Sequence, residues 1–214
     1  MSDTGSSNHY FDSDPVVREV RREFTVDSPR GPLRLEAATG VFARHGLDKG
    51  TSTLLDVVGR HPTEPPPRQA HLCDIGSGSG ALALVLAATH PDCTVHAVDV
   101  NERARRLCAD NARRNELTNV VVEAPDDVDP TLRFHLMWSN PPIRIGKEPL
   151  HELLETWLAR LHRDGHAELV VARNLGADSL AHWLESRGHH VTRIGSAKGF
   201  RVLRVNSRDL DRAD

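Results

Sequence analysis

Lysine is nearly absent from this 214-residue chain: Lys49, Lys147 and Lys198 are the only three, so 24 of its 27 basic residues are arginine. Cysteine is as scarce, with only Cys73, Cys93 and Cys108 and no C-x-x-C pair. That excludes a disulfide framework and makes a reducing, cytoplasmic setting the expectation. Long apolar runs are missing too: the longest, Ala81–Ala88, falls far short of the ~20 residues of a membrane span. The first residues, MSDTGSSNHYFDSD, are polar and acidic, so neither a secretory leader nor a membrane partner is expected. An excess of positive charge is lacking as well, because 27 basic residues face 30 acidic ones and the net charge is −3. This counts weakly against a nucleic-acid partner. Arginine's planar fork, which suits phosphates and bases, counts the other way, although a biased genome composition would also produce it. No metal is expected either. His162 and His166 stand four apart, but Gly165 interrupts any ligand-bearing helix, and adjacent His189 and His190 would point to opposite faces of a strand.

What is present is one domain's worth of chain, 38% hydrophobic and 27% charged, enough for a real core. Residues 1–9 and 206–214 read as polar tails. Residues 10–61 read as an appended segment: a β-hairpin around Asp27-Ser28-Pro29-Arg30-Gly31, then a helix capped by Thr51 or Ser52. Pro62, Pro65, Pro66 and Pro67 make a stiff linker at 62–68. From 69 to 205 strands and helices alternate. Strands are expected at 70–75, 94–99, 119–124, 134–139 and 167–172, with helices at 80–90, 102–115, 150–161 and 178–187, and a closing hairpin at 191–194 and 200–205. Such alternation means a parallel sheet with right-handed crossovers and helices on both faces.

The segment Cys73-Asp74-Ile75-Gly76-Ser77-Gly78-Ser79-Gly80 leaves a strand and opens a helix, where glycines admit a ligand close to the backbone. Gly76-x-Gly78-x-x-Ala81 satisfies a dinucleotide fingerprint, and Asp99 lies near the expected acidic distance, so the loop alone leaves NAD and S-adenosylmethionine both open. Asp74 favours the second. A carboxylate there would repel a pyrophosphate but attract an ammonium and a sulfonium. Asp99 would then accept from the ribose hydroxyls, with Val100 and Asn101 beside it. Asp126 would meet the adenine amino group, or else belongs to a solvated acidic run with Asp127 and Asp129.

At the end of the fourth core strand stands Ser139-Asn140-Pro141-Pro142-Ile143. Two prolines fix the backbone and remove two N–H donors, while Asn140 adds a side-chain carbonyl. Neutral acceptors of this kind suit a planar amino group on a base or an amide. They hold both N–H bonds while the nitrogen pyramidalises and aims its lone pair at a methyl.

With these motifs the chain resembles the class I S-adenosylmethionine-dependent methyltransferases, and within them the methyltransferase-small group that includes ribosomal RNA guanine-N2 enzymes. The matching segments are Gly40-Val41-Phe42, Leu47 to Thr51 with Leu54-Leu55, Asp74 to Gly80, Asn140 to Lys147, and Lys198 to Leu203, within a likeness running from Tyr10 to Val205. The resemblance implies a Rossmann-like seven-stranded sheet with an antiparallel last strand, preceded by the small N-terminal hairpin and helix. It implies S-adenosylmethionine held by Asp74, Gly76, Ser77, Gly78, Asp99, Val100, Asn101, Asp126 and Asn140, and catalysis centred on Asn140, Pro141 and Pro142. It places Phe42 and Thr51 near the methionine end or the substrate mouth, although Phe42 could instead anchor the appended segment. Two departures stand out. Many Asn-Pro-Pro enzymes follow the motif with an aromatic residue, where this chain has Ile143, and the extra RNA-binding half of the long rRNA enzymes is lacking.

The expectation is therefore methyl transfer to an exocyclic amine of RNA, guanine N2 of 16S rRNA foremost. Phe42, Ile143, Arg144, Lys147, Lys198 and Arg201 would lie on the substrate side, and the arginines of residues 103–114 on a solvated face. The alternatives are a protein glutamine amide, an adenine N6, or a cofactor-binding module without turnover.

Overall fold

The computed structural model describes residues 18–43, 46–142 and 145–208. The tails at 1–9 and 209–214 and the substrate-side candidates Ile143 and Arg144 lie outside the described residues. Strands β1 (Arg21–Val26) and β2 (Leu33–Ala38) pair as the expected antiparallel hairpin. Helix α1 spans Lys49–Arg60, and its cap is Asp48, not Thr51 or Ser52. Asp48 accepts the Gly50 N–H at 2.8 Å and the Thr51 N–H at 3.3 Å, so the helix begins one turn earlier than the hydroxyl residues suggested.

The core then runs β3 (His71–Ile75), α2 (Ala81–Thr89), β4 (Thr94–Val98), α3 (Glu102–Arg114), β5 (Val120–Glu123), β6 (Phe134–Ser139), α4 (Lys147–Leu158), β7 (Leu161–Ala172), α5 (Ala177–Ser186), β8 (Val191–Ala197) and β9 (Phe200–Asn206). Seven strands form one sheet in the order β5-β4-β3-β6-β7-β9-β8. Six run in one direction, and only β9 is reversed, lying antiparallel between β7 and β8. A two-residue turn at Lys198-Gly199, both with positive φ (51° and 84°), makes that closing hairpin possible.

β7, α4 and β8 differ from the sequence expectation, β8 by running on through Gly195 to Ala197 with a register shift there. β7 begins at Leu161 rather than 167, because the polar run His162 to His166 is a half-exposed continuation of the strand. A Cβ at Gly165 would stand 2.6 Å from the Phe134 carbonyl, so glycine is what allows β6 and β7 to meet there. α4 starts at Lys147, since Pro149 sits in the first turn where its missing N–H costs nothing.

Helix α2 is apolar around its whole circumference because it is enclosed on both sides. Leu82, Leu84 and Leu86 join a core with Leu72, Val95 and Leu136 of the sheet and with Leu33 and Leu35 of the hairpin. The opposite sheet face packs Cys73, Ile75, Met137 and Leu169 against Leu150, Leu154 and Trp157 of α4 and Leu180 and Leu184 of α5. The hairpin is tied down by Asn111 of α3, which is fully buried. Its amide donates to the carbonyls of Glu36 and Ser79, both at 2.9 Å, and accepts the Glu36 N–H at 2.8 Å. Arginines of α3 add to this anchorage instead of simply facing water: Arg114 pairs with Glu23 and Glu36, and Arg103 donates to the Thr39 carbonyl. No described helix is long and apolar enough to cross a membrane.

Replacing Asn111 by alanine orphans three backbone groups. At about 1–3 kcal/mol for each that stays dry, and with partial relaxation, a loss of about 3 kcal/mol is expected, read as a lower urea midpoint with little change in slope. An unchanged midpoint would show that Asn111 does not anchor the hairpin.

Candidate active site

β3 and β6 are neighbours, yet the chain leaves β3 toward β4 and β5 on one side and leaves β6 toward β7 on the other. At such a reversal the two outgoing loops diverge and open a crevice beyond the carboxyl ends of the strands. Ile75 of β3 is paired with Ser139 of β6, and the Ser139 hydroxyl donates to the Ile75 carbonyl at 2.7 Å. The glycine loop and Asn140 therefore start side by side.

Two connected concavities occupy this edge. The larger, about 410 Å³, is lined by Gly40, Phe42, Gly76, Asp99, Val100, Asn101, Pro125, Asn140, Pro141 and Pro142, with Ile145, Pro149, Leu153 and Trp157 of the α4 side. The smaller is lined by Asp48, Thr51, Asp74, Ser77, Gly78 and Ser79, and shares Phe42, Gly76 and Asn140 with the first. Among the described residues, neither wall contains a lysine, arginine or histidine.

The loop is held by backbone bonds. Gly76 and Ser77 both donate to the Val98 carbonyl, at 2.8 and 3.0 Å. Gly78 donates to Asp99 Oδ2 at 2.8 Å, while Asp99 Oδ1 takes the Asn101 N–H at 2.9 Å. Burial raises the Asp99 carboxyl above the ordinary range, opposed by those two N–H groups. Asn101 caps α3 through Ala104 and reaches the Gly40 carbonyl at 3.0 Å. Gly80 closes the loop at φ +88°; a Cβ there would fall 2.5 Å from Cys108 Sγ, so both backbone and packing demand glycine.

Asp74 is buried under the loop. Its Oδ2 accepts the Ala83 N–H at 2.9 Å, capping α2 from across the turn, because Gly80 has no side chain to do so. Its Oδ1 has no partner. Burial pushes this carboxyl up to about 7, with the Ala83 N–H opposing and Asp99 adding to the rise. An unpartnered carboxylate oxygen under an acid-lined pocket fits a cationic ligand and disfavours a pyrophosphate. S-Adenosylmethionine has both an ammonium and a sulfonium, so the residues present fit it.

Asn140 Nδ2 lies 3.1 and 3.2 Å from the two Asp48 oxygens and 3.1 Å from Thr51 Oγ1. The Pro142 carbonyl accepts the Ile145 N–H at 3.0 Å. Of the remaining sequence candidates, Asp126 is exposed and does not line the cleft, although Pro125 beside it does. Phe42 stands 59% exposed at the mouth. Lys147 is exposed at the start of α4, whereas Lys198 pairs with Asp56 at 3.3 Å and Arg201 with Asp178, so neither lines the cleft as an open cation. Sequence reasoning missed Asp48 and the α4 wall. The Asp-x-x-Thr capping spacing was a readable signal for Asp48.

Sheet order, crevice and charge define a class I S-adenosylmethionine-dependent methyltransferase, with S-adenosylmethionine as its cofactor. Residues 32–204 match the Methyltransferase small domain, and the chain belongs to that family. It is 30% identical over 202 residues to the uncharacterized protein YbxB of Bacillus subtilis, spanning 93% of this chain and 98% of that one. It is 31% identical over 169 residues to the ribosomal RNA small subunit methyltransferase C of Cronobacter sakazakii, spanning 73% of this chain and 46% of the relative. The structure resembles that of the 16S rRNA N2 G1207 methyltransferase of T. Thermophilus solved with AdoMet and guanosine, with a TM-score of 0.73 and 22% identity over 91% of this chain and 52% of that one. The chain thus spans about half the length of the rRNA methyltransferases it matches.

The Asp74 carboxyl gives a pH signature. Its folded pKa exceeds its unfolded value, so in the free protein its contribution to stability is fully present below about 4 and is lost as pH rises to about 7. A cation bound beside it favours the ionised form, which reverses the preference. Calorimetry should therefore show S-adenosylmethionine binding weakening as pH falls below about 7, by up to about tenfold per pH unit, relative to Asp74→Asn. Identical pH profiles for the two proteins would exclude Asp74 from cofactor binding.

Proposed function

We propose that this methyltransferase modifies an exocyclic amine of RNA, with guanine N2 of 16S rRNA as the leading target. The observation carrying this reading is that Asn140, Pro141 and Pro142 line the same cleft as Gly76 and Asp99, so an acceptor-rich motif faces the cofactor loop. Bound S-adenosylmethionine supplies an electrophilic methyl on a sulfonium. Asp74 and Asp99 hold the cationic and ribose parts of the cofactor, with Gly76, Ser77, Gly78, Val100 and Asn101 forming the loop and rim. Asn140 Oδ1 and the Pro141 carbonyl accept the two N–H bonds of the target amine, turning its lone pair along the attack line. Because these neutral acceptors leave the amine's own lone pair free to attack, no strong base is needed beforehand, and the proton lost by the methylated nitrogen would pass to solvent.

Phe42 offers the aromatic surface that Ile143 does not, and its exposure at the cleft mouth suits stacking on a base drawn out of its helix. Lys147, exposed at the start of α4, suits a phosphate contact, and Arg144 adds a second positive charge directly after the motif in sequence. Lys198 and Arg201 contribute less, since Asp56 and Asp178 already neutralise them. The kinship with rRNA enzymes supports RNA as the polymer.

Tritiated methyl should pass to rRNA in vitro, and the labelled product should be nuclease-sensitive. Asn140→Ala should lower kcat by about 100-fold or more while the cofactor Kd stays within about threefold. Full activity in that variant would overturn the mechanism, and nuclease-resistant label in protein would favour a glutamine amide instead.

A further inference from the structure

An asparagine amide can face a cleft either way round, and only one orientation presents an acceptor to an amine. We propose that Asp48 is a positioning residue that decides this orientation for Asn140, with Thr51 completing the clamp. This role rests on the amine reading of the site, and the test below separates the two.

The chemistry of the three groups favours one arrangement. The Asp48 carboxylate can only accept. Oδ1 already takes the Gly50 and Thr51 N–H groups of the α1 terminus, and Oδ2 takes the Thr51 hydroxyl proton. That donation leaves a lone pair on Thr51 Oγ1, which accepts from Asn140 Nδ2 at 3.1 Å. The other Asn140 proton is shared by the two carboxylate oxygens at 3.1 and 3.2 Å. A flipped amide would set its carbonyl oxygen against the carboxylate, and could gain a donor only by taking the Thr51 hydroxyl proton away from Asp48. Nδ2 is therefore turned into the fold and Oδ1 is left for the cleft.

Close approach of α1 is part of the device. A Cβ at position 50 would stand 3.0 Å from Asn140 Nδ2, 3.1 Å from its Oδ1 and 3.1 Å from Asp48 Oδ1. Glycine lets the helix terminus bring its capping carboxylate against a residue 92 positions away. The carboxylate also draws positive charge onto the amide NH₂, which makes Oδ1 a stronger acceptor as the amine nitrogen becomes cationic. One aspartate thus joins the start of α1 to the reacting edge of the sheet.

The informative variant is Asp48→Asn, because asparagine caps a helix as well as aspartate does but places an NH₂ against that of Asn140. In the cofactor-free protein, the Asn140 side-chain amide protons are identified in a ¹⁵N spectrum by their loss in Asn140→Ala. We expect them to be well resolved and slowly exchanging in the wild type, to exchange at least about tenfold faster in Asp48→Asn and Thr51→Val, and to stay protected in Thr51→Ser. The kcat of Asp48→Asn should fall about 10- to 100-fold, a larger change than any in cofactor Kd, with the unfolding midpoint unchanged. The double variant Asp48→Asn/Asn140→Ala should be no slower than Asn140→Ala alone, because both changes remove one function. Unaltered Asn140 protons in Asp48→Asn, or losses that multiply in the double variant, would overturn the proposal. Protected Asn140 protons in a wild-type protein that methylates no amine would sustain the clamp and overturn the amine reading.

Discussion

The pairing of β3 with β6 is the constraint on which the rest of the site depends. Ile75 and Ser139 are 64 residues apart in sequence but adjacent in the sheet, and the chain departs from them in opposite directions. The glycine loop and Asn140 are placed by that divergence. The loop after β3 leads into α2, and the loop after β6 leads to α4. Between them the strand ends expose backbone that neither helix covers, and a ligand-sized cleft follows from topology before any particular side chain is considered.

Charge then selects what the cleft takes. Buried carboxylates are costly without a partner. Asp99 meets that cost with two backbone N–H groups, and Asp74 meets it only in part, with one oxygen on Ala83 and one unpartnered. A fold optimised for stability alone would not keep Asp74 in that state. With no basic side chain in the described walls, the unpartnered Asp74 oxygen is left available to a cation. The near-neutral net charge of the chain is an average over this acidic edge and the arginines that fasten the hairpin to α3. It therefore says little about the partner.

How much of this was legible in the sequence depends on the range of the interaction. The glycine loop, Asp99 and Asn140 are local signals at strand ends, and all line the two concavities. The closing hairpin was readable too from Gly195 and Gly199, although Gly195 lies within β8 and of the two only Gly199 is in the turn. What stayed hidden was paired over distance. Lys198 and Arg201 looked like free phosphate contacts because Asp56 and Asp178 lie far away in the chain. Asp48 looked like one more loop residue because Thr51 and Ser52 were equally good caps for a helix of uncertain start. The early part of β7 was masked by its own polarity, which reflects exposure rather than a loop. Arg103 and Arg114 read as solvated because their partners lie on another element.

The central claim is that the geometry around Asn140 serves an amino nitrogen. The most direct test is to locate the methylated atom by mass spectrometry of nuclease digests after reaction of 16S rRNA with the purified protein and labelled cofactor. The account predicts a new methyl on an exocyclic nitrogen, guanine N2 first, absent when Asn140→Ala replaces the wild type. A methyl found on a ring carbon, a ring nitrogen or a ribose oxygen would contradict it.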